Sequence, residues 1–259
     1  MGIGKVSSLA AASLSKVSSL AKLSIGKISS ATASFAAAYS NSRSIAFDGT
    51  NDVILCDTAT YDLGSWSMWL KYTDTLSVMM SAGGYYYVYN IFGNLRFSYR
   101  GGFDNILASS NSGNWLHLVV TIDRTGVLGE DNTTIKGYVN GVLEVTGTNT
   151  ASTALGTQQL SFGAFPDLSY QIYSGNMDEV GWWDDKILTV DEVVAIYNSG
   201  EPIDLKTDAG DYSSSSDLTN YWRMGDGDTY PTIEDNKGSN DGTMTNMASG
   251  DIESDVPAP

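Results

Sequence analysis

The 259-residue chain is 42% apolar and carries 15 Tyr, 7 Phe and 6 Trp, enough material for one well-buried core or two small ones. Thirty Asp and Glu against 14 Lys and Arg leave a net charge of -16, the wrong sign for nucleic acid as a partner. A single cysteine, Cys56, and a single histidine, His117, exclude an intrachain disulfide framework and every metal site built on two imidazoles, and no apolar run reaches the roughly 18 to 20 residues of a membrane span.

The charge is divided along the chain. Residues 1–43 hold Lys5, Lys16, Lys22, Lys27 and Arg43 and no acid, whereas residues 44–259 hold nine bases against 30 acids. The first segment is Ser/Ala-rich and repeats every eleven residues, with Lys5-Val6, Lys16-Val17 and Lys27-Ile28 in register. An eleven-residue period is compatible with a helix whose seam carries Val6, Val17 and Ile28. The Ser pairs, Gly26 and the β-branched residues favour the alternative, an extended, turn-rich arm. In either form so little apolar surface orders only against another surface, so residues 1–43 read as an assembly arm and 44–259 as an acidic globule. Lys and Ser interrupt any run long enough for a secretory signal.

From Ser44 the pattern becomes short alternating runs between Gly, Asn, Asp and Ser clusters, which predicts an all-β sandwich. Leu116, Leu118, Val120 and Ile122 share one strand face, with His117, Val119 and Thr121 on the other. Asn140-Gly141 joins 135–139 to 142–146 as a type I′ hairpin. Phe92-Gly93-Asn94 turns a second, aromatic-rich hairpin between 85–89 and 95–99. One helix is predicted after Thr189: Glu192 completes a capping box, Gly200 ends it, and Val193, Val194 and Tyr197 form its apolar face. Residues 208–217 read as a polar loop, and a second β stretch starts at Leu218.

Four landmarks in order, S-I-A-F-D-G-T-N-D-V-I at 44–54, N-W-L-H-L-V-V-T-I-D at 114–123, Y-V-N-G-V-L at 138–143 and G-N-M-D-E-V-G-W-W before the helix, resemble laminin-G-like, concanavalin A-like jelly rolls. The resemblance implies a two-sheet antiparallel jelly roll. Y-W-R-M-G-D-G-D at 221–228 with D-N-K-G-S-N-D-G-T-M at 235–244 looks like the segment that this family usually places before its first strand. That order implies a circular permutation, with 218–259 returning to complete the sandwich.

The same resemblance raises three chemistries. Glucanases of the superfamily carry E-x-D-x-E on one strand, and this string is missing here. Asp178 and Glu179 are adjacent, so strand alternation sends them to opposite faces, and the expectation is no enzyme. Asp178 shares parity with Val180 and Trp182 and so reads as buried. With Asp48, Asp52, Asp235 and Asn240 in oxygen-rich loops that the permutation would bring together, it makes calcium a candidate cofactor. The competing reading of these loops is Asx-type hydrogen bonding to their own backbone. For sugar stacking the candidates are Tyr85, Tyr86, Tyr87, Tyr89, Tyr99 and Trp66 near Trp69, of which alternation can expose about half.

A basic arm, a jelly roll and this C-terminal stretch together also resemble virion proteins of tailed bacteriophages. That implies a homo-oligomeric capsid-decoration or tail component in the virion, anchored on other virion proteins through its arm and displaying a lectin-like domain. The alternative is a carbohydrate-binding adhesin that recognises a host glycan.

Overall fold

The computed structural model describes residues 39–100, 103–108, 113–124, 133–149, 156–168 and 172–259. The repeat positions Lys5, Val6, Lys16, Val17, Lys27 and Ile28 lie outside them. The chain divides into Met1–Ser40 and Asn41–Pro259, so Asn41, Ser42 and Arg43 belong to the folded unit rather than to the segment before it.

In that unit the alternating runs become strands: β1 (Ser44–Asp48), β2 (Val53–Ala59), β3 (Gly64–Tyr72), β4 (Leu76–Ala82), β5 (Tyr86–Ile91), β6 (Asn94–Tyr99), β7 (Phe103–Ala108) and β8 (Leu116–Arg124). Then come β9 (Thr133–Val139), β10 (Val142–Asn149), β11 (Gln158–Phe162), β12 (Ser174–Asp184), the helix α1 (Val190–Tyr197), β13 (Asn220–Trp222), β14 (Thr232–Ile233), β15 (Gly242–Thr245) and β16 (Ile252–Glu253). They form two antiparallel eight-stranded sheets. One is ordered β10-β9-β8-β3-β12-β1-β16, with β13 beside β12, and the other β14-β15-β2-β11-β4-β5-β6-β7.

The C-terminal stretch contributes to both sheets. β13 pairs with β12 (Gly181 opposite Tyr221), β15 with β2 (Met244 opposite Ile54), and β16 with β1 (Ile45 opposite Ile252). Between the sheets Trp66 lies 4.7 Å from Trp182 and 6.4 Å from Trp222, ring centre to centre, so residues far apart in sequence build one aromatic core. A second apolar cluster covers the outer face of the first sheet. There Val119, Tyr138, Trp183 and Tyr221 meet Val193 and Ile196 of α1 and Leu205, Tyr212 and Leu218 of the following loop.

Local turn chemistry follows the residues. Asn140 and Gly141 have φ 51° and 78°, and Val142 pairs with Val139, as a type I′ turn requires. The β5–β6 turn is shorter than the sequence predicts: Ile91 pairs with Asn94, so Phe92 and Gly93 alone make it, at φ 53° and 77°. The capping box of Thr189 and Glu192 is present, but the apolar face differs from expectation. Val193 and Ile196 are buried whereas Val194 is 51% exposed, because the helix is only eight residues long and its contact stripe follows an i, i+3 spacing.

The structure also corrects the parity of Asp178. The register of β12 against β3 shifts between Asp178 and Gly181, and Glu179 has φ 48°. This bulge adds one residue to the strand, so Val180 and Trp182 face the sandwich core while Asp178 sits opposite Trp69 on the outer face. Glu179, reached by the Tyr221 hydroxyl, lies on that face too. The two adjacent carboxylates therefore share a face instead of being separated by the sheet.

Candidate functional site

The outer face of the second sheet gathers the exposed rings. On β5, Tyr86 and Val88 point into the core, so Tyr87 and Tyr89 point outward and are half-buried, and Tyr85 in the preceding turn is 48% exposed. The Tyr87 and Tyr89 ring centres are 5.1 Å apart at 53°. Phe165, from the turn after β11, meets Tyr87 edge to face at 5.3 Å and 71°. β11 pairs with β4, Leu160 opposite Ala82, and this pairing carries the Phe165 turn to the end of β5.

Beside this ridge opens a cleft of about 520 Å³ lined by Gly83, Gly84, Gln158, Gln159, Phe165, Pro166 and Asp167. Gly83 sits in the left-handed region at φ 56°, with the end of the Gln158 side chain packed where a Cβ would stand. Its N–H donates to the Gln159 carbonyl at 3.0 Å, which fixes the cleft floor to β11. At the other end of the ridge the Tyr89 hydroxyl donates to both oxygens of Asp104, at 2.7 and 2.8 Å, and Arg96 Nε donates to Asp104 at 3.2 Å. Burial, and then the Asp104 carboxylate, push the Tyr89 hydroxyl above the ordinary phenol range. The site thus combines ring faces, two carboxamides and a rim carboxylate, an inventory suited to stacking on and hydrogen bonding with a polyhydroxylated ligand.

Of the rings named from sequence, Tyr85, Tyr87 and Tyr89 lie on or beside the ridge. Tyr86, Tyr99 and Trp66 are fully buried in the core, and Trp69 is buried on the outer face of the first sheet, 6.0 Å from Tyr197 of α1. Phe165, Gly83 and Gln158 escaped the sequence reading. They lie in turns or at a strand end with no periodic signal, and only the β4–β11 pairing joins them to β5.

The five candidate calcium ligands are not brought together. Asp48 and Asp52 form the β1–β2 turn, where the Asp52 carboxylate accepts from Asp48 N and Asp48 accepts from Thr50 N. Asp235 accepts five N–H donors, from Tyr221, Lys237, Gly238, Asn240 and the Asn220 amide. Asn240 accepts from Asp57 N and donates to the Tyr61 hydroxyl. Asp52 immediately precedes β2 and Asp57 lies within it, five residue steps on, which puts the Asp52 turn and the Asn240 loop about 16 Å apart along the strand. Asp178 lies on the other sheet. Among the described residues no group of three His, Cys, Asp or Glu side chains is arranged to hold a metal ion.

The adjacent acids are likewise closed off. Asp178 and Glu179 are 0% and 2% exposed, covered by Asn41, Tyr221 and Arg223. His117 is buried with Nε2 against Ser67 Oγ at 2.8 Å, and burial lowers its pKa to about 3, so it stays neutral.

A family model described as the concanavalin A-like lectin/glucanases superfamily, of laminin G type, matches residues 41–194. Among solved structures, one provisionally described as a carbohydrate-binding protein from Bacteroides ovatus aligns at 16% identity and a TM-score of 0.63 over 85% of this chain. The chain spans 62% of that protein. A heptameric SAP-like pentraxin from Limulus polyphemus aligns at 16% identity and TM-score 0.47, covering 61% of this chain and 82% of its own. Domain 4 of the arabinanase AbnA from Geobacillus stearothermophilus, solved with arabinotriose, aligns at 19% identity and 0.44, covering 58% and 74%. At 16% identity the likeness to the Bacteroides ovatus protein is one of fold. No curated protein matches the sequence.

Proposed function

Because the chain belongs to the concanavalin A-like lectin/glucanases superfamily, matched over residues 41–194, we propose that it is a non-enzymatic carbohydrate-binding module. The observation that carries this reading is the Phe165–Tyr87–Tyr89 ridge beside the Gln158 cleft, where ring faces and hydrogen-bonding groups stand together on an outer sheet face. The non-enzymatic part rests on burial: the adjacent Asp178 and Glu179 are shut beneath other side chains, so neither reaches a glycosidic bond. A glycan array probed with the wild type and with the Tyr87→Ala, Phe165→Ala double variant tests it. Binding that disappears in a double variant of unchanged melting temperature is the expected result. A blank wild-type array at high protein concentration would reject it.

Charge favours a second, compatible reading. Residues 1–43 carry five bases and no acid, against nine bases and 30 acids in the remainder. In this reading the basic repeats anchor the protein, as an oligomer, on other proteins of a bacteriophage particle, and the acidic globules repel one another and stay dispersed. Deleting residues 1–40 separates the roles. The truncated protein keeps its glycan affinity and loses its association with particles. Unchanged association would end the anchoring reading.

A further inference from the structure

We infer that the Phe165–Tyr87–Tyr89 site selects a neutral, soluble, single-chain glycan, and discriminates against both anionic sugars and the flat faces of crystalline polysaccharide. The inference rests on the carbohydrate-binding reading and narrows its ligand.

The selection for a single chain comes from ring geometry. A crystalline polysaccharide face is planar, and binding it across several rings needs rings that lie in one plane. Here successive planes turn by 71° from Phe165 to Tyr87 and by 53° from Tyr87 to Tyr89. No flat surface can contact all three. The centres are spaced 5.3 and 5.1 Å apart, comparable with the length of one pyranose residue. A single chain that twists from one sugar to the next can present a face to each ring in turn, with a further residue in the cleft against Gln158 and Gln159.

The selection for neutral sugars comes from charge. The described residues lining the cleft include one carboxylate, Asp167, and no cation. Arg96, paired across from Tyr89, is engaged by Asp104, and Arg100 at the end of β6 stands 4.0 Å from the Asp62 carboxylate. A sialic or uronic carboxylate entering here would meet no cation among the described lining residues, inside the field of a chain whose net charge is -16.

The test uses the full chain and isothermal titration with cellohexaose, xylohexaose, mannohexaose and arabinohexaose, alongside sialyllactose and polygalacturonate, and pull-down on microcrystalline cellulose and chitin. At least one neutral oligosaccharide is expected to bind, with affinity rising from the disaccharide to longer chains. Phe165→Ala and Tyr87→Ala should each weaken it tenfold or more. Preference for sialyllactose or polygalacturonate, or capture by the crystalline solids without binding of the soluble chains, would overturn this inference while leaving a carbohydrate-binding module. Silence towards every probe would instead overturn the reading beneath it.

Discussion

The side-chain amide of Asn41 donates to Oδ2 of Asp178 at 2.8 Å, joining the first residue of the folded unit to the bulge of β12. One residue on, the Asp226 carboxylate accepts from Ser42 N at 2.7 Å, Ser42 Oγ at 2.6 Å and Arg43 N at 3.2 Å. Arg223 in turn pairs with both Asp226 and Glu179. Three carboxylates and one guanidinium thus hold the stretch of chain that leads into β1.

Asp178 is the weak member of this group. Burial first, then the neighbouring Glu179 and Asp226 charges, raise its pKa well above the ordinary carboxylate value, and its Oδ1 is buried without a hydrogen-bond partner. An acid whose folded-state pKa is raised binds more protons folded than unfolded between the two values. Ionised Asp178 therefore costs stability above its folded pKa, and the cost fades as pH falls towards the unfolded value of about 4. Asp178→Asn should be more stable than the wild type at pH 7, with the difference shrinking on acidification. Chemical denaturation of both proteins from pH 7 to 4 checks it, and a constant difference would refute the assignment.

Asp226→Ala removes the acceptor for two backbone N–H groups and one hydroxyl. We expect a loss of about 1–3 kcal/mol and faster amide exchange at Ser42 and Arg43, with the β3 amides unaffected until global unfolding. Unchanged exchange at those two amides would show that the clasp contributes nothing.

Asn140 supplies both a left-handed turn residue, at φ 51°, and an acceptor for His117 N at 2.8 Å. Replacing it by Ala should cost about 1–3 kcal/mol, since it strains the turn and removes the acceptor. Asn140→Gly relieves the strain alone, so it should recover part of the loss. Full recovery by Gly would mean the His117 bond is dispensable.

Asp235 draws the C-terminal loop together through five N–H groups. Asn has one acceptor oxygen and places an NH₂ against two of those donors, so Asp235→Asn is expected to cost about 3 kcal/mol or more. The thermal melt reports it. A melt unchanged within a degree would argue that the loop reorganises freely.

Much of the fold is legible along the chain because its signals are local. Alternation marks the strands, Asn140-Gly141 specifies its turn by φ, and Thr189 with Glu192 starts a helix whatever lies around it. Asp178 is buried as expected but on the opposite face of the sheet, because alternation assumes an unbroken strand and the Glu179 bulge inverts every side chain before it relative to those after it. Val194 was misplaced because eight helical residues define only a narrow stripe, whose direction depends on the sheet below.

The ridge divides along the same line. That β5 should present alternate tyrosines to solvent follows from its own residues, since a strand's period of two is a property of its backbone. Which tyrosines are outward, and that Phe165 stands against Tyr87 with Gln158 at Gly83, depends on β11 lying beside β4, a pairing between residues about 80 positions apart. Such pairings are set by how two complete sheets bury a shared core, a sum over many side chains that no single stretch of sequence contains.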